Sequence, residues 1–442
     1  SRSCSVCSNC ILKSGKARIA PIWREIPEGV VELTVHALNE DGSDRYLVGA
    51  RTFFKTAPFP ANFPPAARSY RESATLAYDF AYRQSFVQHW LTDGTPDPNY
   101  DYYVFPNKMI SSLINAMIIY SGLRPECAAD AITIAKRAAD YMIDFRPDPD
   151  KHENFCAPER LGTMMMIYPA SAGISYLKLE KVTGDTRYFD AALKIGEFYR
   201  DHVLPNGSWH IILDRETGEP TSTSYCNTLS QIVPFLMSLY ERTDGAVWKT
   251  LADNARAYIE REQLATYNWE GQFEDSYLSI HYSNLTPFEA EALIAQYTKY
   301  HADDAEKMAA CDDLMRFIED QFVVWTRACP WNRHPTDPSI WSLPAALEQY
   351  QWHMPIDSST AACMNTFINM YRAGRGELHL AKARALADQL TRMQNPTTGQ
   401  FPTHWMLPDC RETGGQFWMN CHFSTAARLA EFADFLDEAN IK

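Results

Sequence analysis

One unit recurs six times along this chain: a long loop, an apolar helix, a very short turn and an amphipathic helix. The turns are GLRPE (122–126), TGDTR (183–187), RTDGA (242–246), YHADD (300–304) and AGRGE (373–377). The loops between units run to roughly 15–30 residues, far beyond the usual connection in a compact domain. A helix pair cannot bury its apolar face alone, so such units stack on their neighbours. Short turns then share one end of the assembly and long loops the other. Function is expected at the long-loop end, because loops carried on a rigid scaffold hold binding and catalytic groups.

The periodicity predicts twelve helices, at about 69–91, 107–121, 126–145, 163–182, 187–203, 224–241, 246–262, 286–299, 304–324, 357–372, 378–393 and 418–437. Their character alternates. RYFDAALKIGEFYRDH (187–202) and LHLAKARALADQLTRM (378–393) are amphipathic, whereas MMMIYPASAGISYL (164–177) and SSTAACMNTFINMY (358–371) are apolar or small on most sides. A helix that is apolar all round belongs inside, and one with a single apolar stripe belongs outside. Six inner and six outer helices close into an all-α (α/α)6 toroid, with the first helix as outer partner of the last. An open solenoid would have more uniform repeats and would lack the oversized loops.

Ahead of the helices the period is two. VVELTVHAL (30–38), the turn NEDGSD and RYLVGARTFF (45–54) read as a hairpin with an Asp-Gly turn. APFPANFPPA (57–66) then ends the β-rich portion. Residues 1–66 are expected to form a Cys-containing tail and small β-rich extension, and residues 67–442 the toroid.

The net charge of −14 excludes a nucleic-acid partner, since nothing here would neutralise a phosphate backbone. No apolar run reaches the ~18–20 residues of a membrane span. The chain does not begin with Met, which fits a processed protein exported to the periplasm or medium, with a cytoplasmic location left open. Cys4, Cys7 and Cys10 have CxxCxxC spacing but lack a second pair or a nearby His pair, so no metal is expected. Cys127, Cys226, Cys311 and Cys363 fall in helical segments and read as buried thiols. Cys410 and Cys421 flank a GG turn and suggest a local disulfide or packed thiols rather than a zinc site with His404, His422 or Glu412. No nucleotide-binding Gly-rich loop or redox motif is present, and no cofactor is expected. The oligomeric state is open.

The long loops mix flat apolar faces with carboxylates, amides and imidazoles, which suits sugar rings with one C–H face and a rim of hydroxyls. Trp209, Trp269, Trp331, Trp341, Trp352 and Trp405 supply the faces, half of them expected only to plug loops against the barrel. The substrate-binding candidates are Trp209 with His210, Tyr225, Trp269, the WNRHP segment with Trp331, Arg333 and His334, and His404 with Trp405. The partner expected is an oligo- or polysaccharide.

Two segments carry a family resemblance. ERLGTMMMIYPASAGISYLKLEKVTGDTRYFDAALKIGEFY (159–199) is similar to six-hairpin glycosidases, in particular unsaturated glucuronyl hydrolases, with their DTMMN-type motif and a helix ending in TGD. PIDSSTAACMNTFINMYRA (355–373) resembles their DSSASA-type helix. The resemblance implies an (α/α)6 fold and a glucuronidase-like activity on uronic-acid-containing glycans. The Asp that opens the family motif is Gly162 here, and no clear match to the family's other Asp appears near Asn107. The hydration mechanism of the unsaturated enzymes is therefore not expected.

Glycoside hydrolysis needs two carboxyls roughly 5–10 Å apart, one of them kept protonated. Glu159 can take over the role of the missing Asp, with Arg160 beside it for a uronate carboxylate. Glu274 and Asp275 in NWEGQFEDSY are further candidates, as is Asp357, which would also serve as an N-cap. Glu348 is a weaker candidate, and Glu289 and Glu291 lie on different helix faces, so one of them is expected to point inward. Glu159, the NWEGQFEDSY carboxylates, the WNRHP segment and Asp357 are expected to converge on one cavity. A lyase using Tyr or His, a sugar epimerase and non-catalytic glycan binding remain open beside the hydrolase.

Overall fold

The computed structural model describes residues 25–27, 29–55, 58–60, 62–144, 163–214, 217–220, 226–227, 229–265, 287–326, 341–349, 352–404 and 417–441. The first expected helix is split at Gln84 into α1 (Tyr70–Tyr82) and α2 (Ser85–Thr92). The inner helices are α3 (Pro106–Leu123), α5 (Tyr168–Thr183), α7 (Leu229–Thr243), α9 (Pro287–Tyr300), α11 (Asp357–Arg372) and α13 (Met419–Glu438). The outer ones are α4 (Ala128–Asp144), α6 (Thr186–Asp201), α8 (Ala246–Ile259), α10 (Ala305–Phe322) and α12 (Glu377–Met393), with α1. Each inner helix packs on the next, and α13 packs on both α11 and α3, which closes the ring. α1 lies against α13, so the first helix is the outer partner of the last, as the alternation required. No described helix is long and apolar enough to cross a membrane.

The helix turns explain themselves chemically. Gly184 ends α5 in the left-handed region at φ 72°, and the Asp185 side chain caps α6 by accepting the Arg187 amide at 3.1 Å. Asp304 does the same for α10, accepting the Glu306 and Lys307 amides. Inner helices approach closely where a residue is small. A Cβ on Gly173 would lie 2.2 Å from the buried Phe235 ring, so α5 and α7 meet only because that position has no side chain.

Two sequence-based expectations fail at the helix starts. The second inner helix was expected from 163, but Thr163–Met165 is a strand (β3) and the helix starts at Tyr168. Likewise Cys226–Asn227 is a strand (β6), so Cys226 is not helical. The long loops are partly ordered into small antiparallel sheets. β3 pairs with Ile212–Asp214 (β5), Trp209–His210 (β4) pairs with β6, and Val323–Val324 (β7), Ala345–Gln349 (β8) and Trp352–Pro355 (β9) form a third sheet. Ladder hydrogen bonds satisfy backbone groups that helical periodicity does not reveal.

The hairpin appears as expected, Gly29–Leu38 (β1) against Asp44–Lys55 (β2). The connector behind it packs on the barrel. Phe59 meets Trp325 edge-on at 4.7 Å between ring centres, and Phe63 lies 5.9 Å from the same indole.

Candidate functional site

Three cavities are stacked along the barrel axis, starting at the long-loop end. The outer one, about 140 Å³, is walled by Lys108, Tyr168, Glu348, His404, Trp418 and Cys421 among others. The middle one, about 230 Å³, shares Lys108, Tyr168, Glu348 and Cys421 and adds Glu289 and Ser358. The lower one, about 430 Å³, continues from it past Arg428 toward the short-turn end. The first-turn residues Lys108, Tyr168, Glu289, Ser358 and Asn420 come from five of the six inner helices. Inner-helix starts therefore ring the mouth, which also gathers the partial positive ends of five helix dipoles there.

The charges at the mouth are specific. The Lys108 ammonium sits 5.1 Å from the centre of the Trp418 ring and 5.6 Å from that of Tyr168, held over two aromatic faces. Glu289 and Glu348 face the same cavity. Beneath them Asp357 is fully buried, its carboxylate accepting the Ser358 amide at 2.7 Å and its own amide donating to the Thr403 carbonyl. Asp357 is not the N-cap that the sequence suggested. Ile356 holds the cap position in extended backbone, and Asp357 is the first helical residue. A carboxylate there is favoured by the helix dipole instead.

Glu291 was weighed against Glu289 as alternatives, and both reach cavities, at different depths. Glu291 lines the lower chamber, where Arg428 grips it with Nε at 2.6 Å and Nη2 at 2.5 Å and Asn365 adds a third bond at 2.7 Å. It is a structural ion pair rather than a free acid.

The other expected residues divide. His404 is at the mouth, bridged by backbone to Ile356. Trp209 is not a stacking platform. It is fully buried, donates its indole N–H to the Tyr199 carbonyl at 2.8 Å, and meets the Tyr199 ring edge-on. Its apolar area is spent fastening a loop to the barrel. Trp341 is also buried. His210 follows Trp209 on β4 and is half-buried, and burial lowers its pKa. It is absent from the walls of the three axial cavities among the described residues. Glu159, Arg160, Tyr225, Trp269, Glu274, Asp275, Trp331, Arg333, His334 and Trp405 lie outside the described residues. Lys108, Tyr168, Trp418 and Arg428 were not singled out from the sequence. Once inner helices are assigned, the first turn of each is the signal that would have found the first three.

Of Cys410, Cys421, His404, His422 and Glu412, Cys410 and Glu412 lie outside the described residues. Cys421 is a free cysteine, and burial, with Asp357 nearby, holds its thiol well above the usual range, so it is protonated at neutral pH. No cluster of three metal-ligating side chains occurs among the described residues. His422 is fully buried with both nitrogens engaged, Nδ1 accepting the Phe401 amide at 3.2 Å and Nε2 donating to the Ala77 carbonyl at 2.9 Å.

Burial keeps the ring neutral and pushes its pKa down to about 4, against the smaller upward pull of the two backbone hydrogen bonds. An exposed imidazole titrates near 6.5. Between those values the unfolded chain binds a proton that the folded chain does not. Stability from this group is complete above about pH 6.5 and falls as pH drops toward 4, by about 3 kcal/mol in total. Urea unfolding of the wild type and of His422→Gln at pH 7 and pH 4.5 checks this. The wild type should lose more stability than the variant over that interval, and equal losses would disprove the assignment.

With the geometry in view, comparison with solved structures is informative about the fold. The cellobiose 2-epimerase of Spirochaeta thermophila superposes with a TM-score of 0.57 at 12% identity, over 83% of this chain and 98% of that one. A family 76 glycoside hydrolase from a bovine Bacteroides thetaiotaomicron strain gives 0.58 at 9% identity, over 92% and 85%. A D-mannose isomerase gives 0.59 at 12%, over 83% and 97%. This chain has the six-hairpin (α/α)6 fold. No protein-family model and no curated sequence matches it. The six-hairpin fold accounts for the ring of inner-helix starts at one end of the barrel.

Proposed function

We propose that the protein is a carbohydrate-active enzyme, a glycoside hydrolase acting on a uronic-acid-containing glycan at the mouth of its barrel. The observation that carries this is the meeting of two carboxylates, Glu289 and Glu348, on one cavity with the ring-held cation Lys108. Two carboxyls flanking one space are what acid/base cleavage of a glycosidic bond requires. Lys108 supplies the positive charge that a uronate carboxylate needs, and Trp418 and Tyr168 offer faces for the ring. The chains sharing the fold include a cellobiose 2-epimerase, a D-mannose isomerase and a glycoside hydrolase, which supports sugar chemistry in general.

A lyase is the second reading. It is favoured by Tyr168 and His404 standing with Lys108 on the outer cavity, since β-elimination pairs a Tyr or His base with a cation on the uronate. Product analysis on a panel of uronic-acid glycans separates the two. New reducing ends without the ultraviolet absorbance of an unsaturated uronate support the hydrolase. Absorbance appearing with the new ends means elimination, and neither signal on any glycan refutes both readings.

Lys108→Gln should raise KM for a uronate glycan by roughly tenfold to a hundredfold, the value of a charge-assisted hydrogen bond. KM for the carboxyl-reduced, neutral form of the same glycan should hardly change. Equal effects on the two substrates would remove Lys108 from carboxylate recognition.

A further inference from the structure

The lower chamber has no role in the reading above, although it is the largest of the three axial spaces. Its volume, about 430 Å³, is in the range of small-molecule sites, roughly 300–1,000 Å³. It joins the middle cavity through shared walls at Ser112, Ser171, Phe288, Asn420, Ser424 and Arg428. From Tyr168 at the mouth to Lys178 in the chamber is ten residues of α5, a descent of about 15 Å along the axis.

Two features distinguish this chamber from a packing gap. Lys178 and Glu431 project into it with accessible side chains, and neither makes a hydrogen bond or ion pair with any described residue. Both stay open to the chamber, and partial desolvation by the helices around it lowers the pKa of Lys178 and raises that of Glu431. Solvent in the chamber hydrates both, and a ligand that displaces it must supply polar partners, because no described residue does. The rest of the wall pairs aromatic faces, Phe288 and Phe423, with the amides of Asn365 and Asn420 and the hydroxyl of Ser424. Lys178 and Arg428 balance Glu291 and Glu431, so the chamber carries no net charge when all four are ionised.

We propose that this chamber is a second sugar-binding site, taking one neutral pyranose whose hydroxyls bridge Lys178 and Glu431 and whose C–H face lies on phenylalanine. The proposal rests on the carbohydrate reading of the mouth. It deepens that reading by giving the substrate a direction: the chain end enters along the axis, with its neutral terminal sugar below and the uronate beside Lys108. With walls from five inner helices around one axis, the chamber takes a chain end, so attack is at chain ends.

Titration calorimetry with D-glucose, D-mannose and D-galactose tests this. The proteins are the wild type, Ala295→Phe and Ala427→Leu, which fill the chamber from two different helices, Glu431→Gln, and Lys108→Gln at the mouth. Ala295 and Ala427 are half-buried and border the empty space, so two independent fillers guard against misfolding of either. At least one sugar should bind the wild type at millimolar concentration. Its binding should vanish in both fillers, weaken about tenfold in Glu431→Gln, and persist in Lys108→Gln. Equal binding to the wild type and both fillers, or no binding of any of the three sugars, overturns the proposal. Failure of the mouth reading has a different signature: no glycan is cleaved while the chamber sugar still binds.

Discussion

Glu289→Gln and Glu348→Gln are each expected to lower kcat by about a hundredfold to ten-thousandfold, the usual contribution of a positioned acid or base. The amide keeps the shape and polarity of the side chain and removes only its capacity to hold or release the proton. Both residues line the same cavity, and Glu289 is almost fully buried there. The loss should appear in kcat more than in KM, because proton transfer matters in the transition state and not in the bound ground state. Initial rates on the glycan identified by product analysis give the answer, with circular dichroism and thermal melts to show that each variant is folded. Activity within about tenfold of wild type in both variants would remove these carboxylates from the chemistry. Attention would then turn to Glu159, Glu274 and Asp275, carboxylates of the long loops that lie outside the described residues.

Arg428→Met is expected to cost about 3–5 kcal/mol of stability, a large part of the ~5–15 kcal/mol that holds a typical domain folded. The guanidinium makes two bonds to the carboxylate of Glu291, across the barrel interior on α9, and its removal strands a buried negative charge that keeps, among the described residues, the Asn365 bond. The double variant Glu291→Met, Arg428→Met should recover much of the loss, because no charge then remains unpaired. Chemical unfolding of the wild type, the single variant and the double variant measures both effects. A single variant within about 1 kcal/mol of wild type would show the pair to be solvated through the chamber rather than buried. Arg428 lines both the middle cavity and the chamber and Glu291 lines the chamber, so the pair belongs to the wall of the proposed sugar site.

Much of the barrel was legible without coordinates. Turn signals such as TGDTR and the alternation of all-round apolar and amphipathic helices are local in sequence, and local rules read them. Thr183, Gly184 and Asp185 end one helix and start the next by hydrogen bonds within a few residues. The site was less legible. Trp209 and Trp341 looked like stacking faces because composition cannot tell an indole facing a cavity from one facing the core. Lys108 was passed over because a lone Lys at a helix start has no local mark of function. Its importance comes from Trp418, more than three hundred residues later, and from Tyr168 on another helix.

The amino-acid sequence by itself determined the six paired helices, their inner and outer order and the end at which the loops gather. Hydrophobic period and capping chemistry act over one or two turns, and these features need nothing longer in range. Only the tertiary structure decided which charges share a space. Closing the ring brings the first turns of five inner helices within reach of one another, sets Glu291 against Arg428, and leaves Lys178 and Glu431 facing a chamber. No spacing along the chain encodes those meetings, because they depend on packing between segments far apart in sequence.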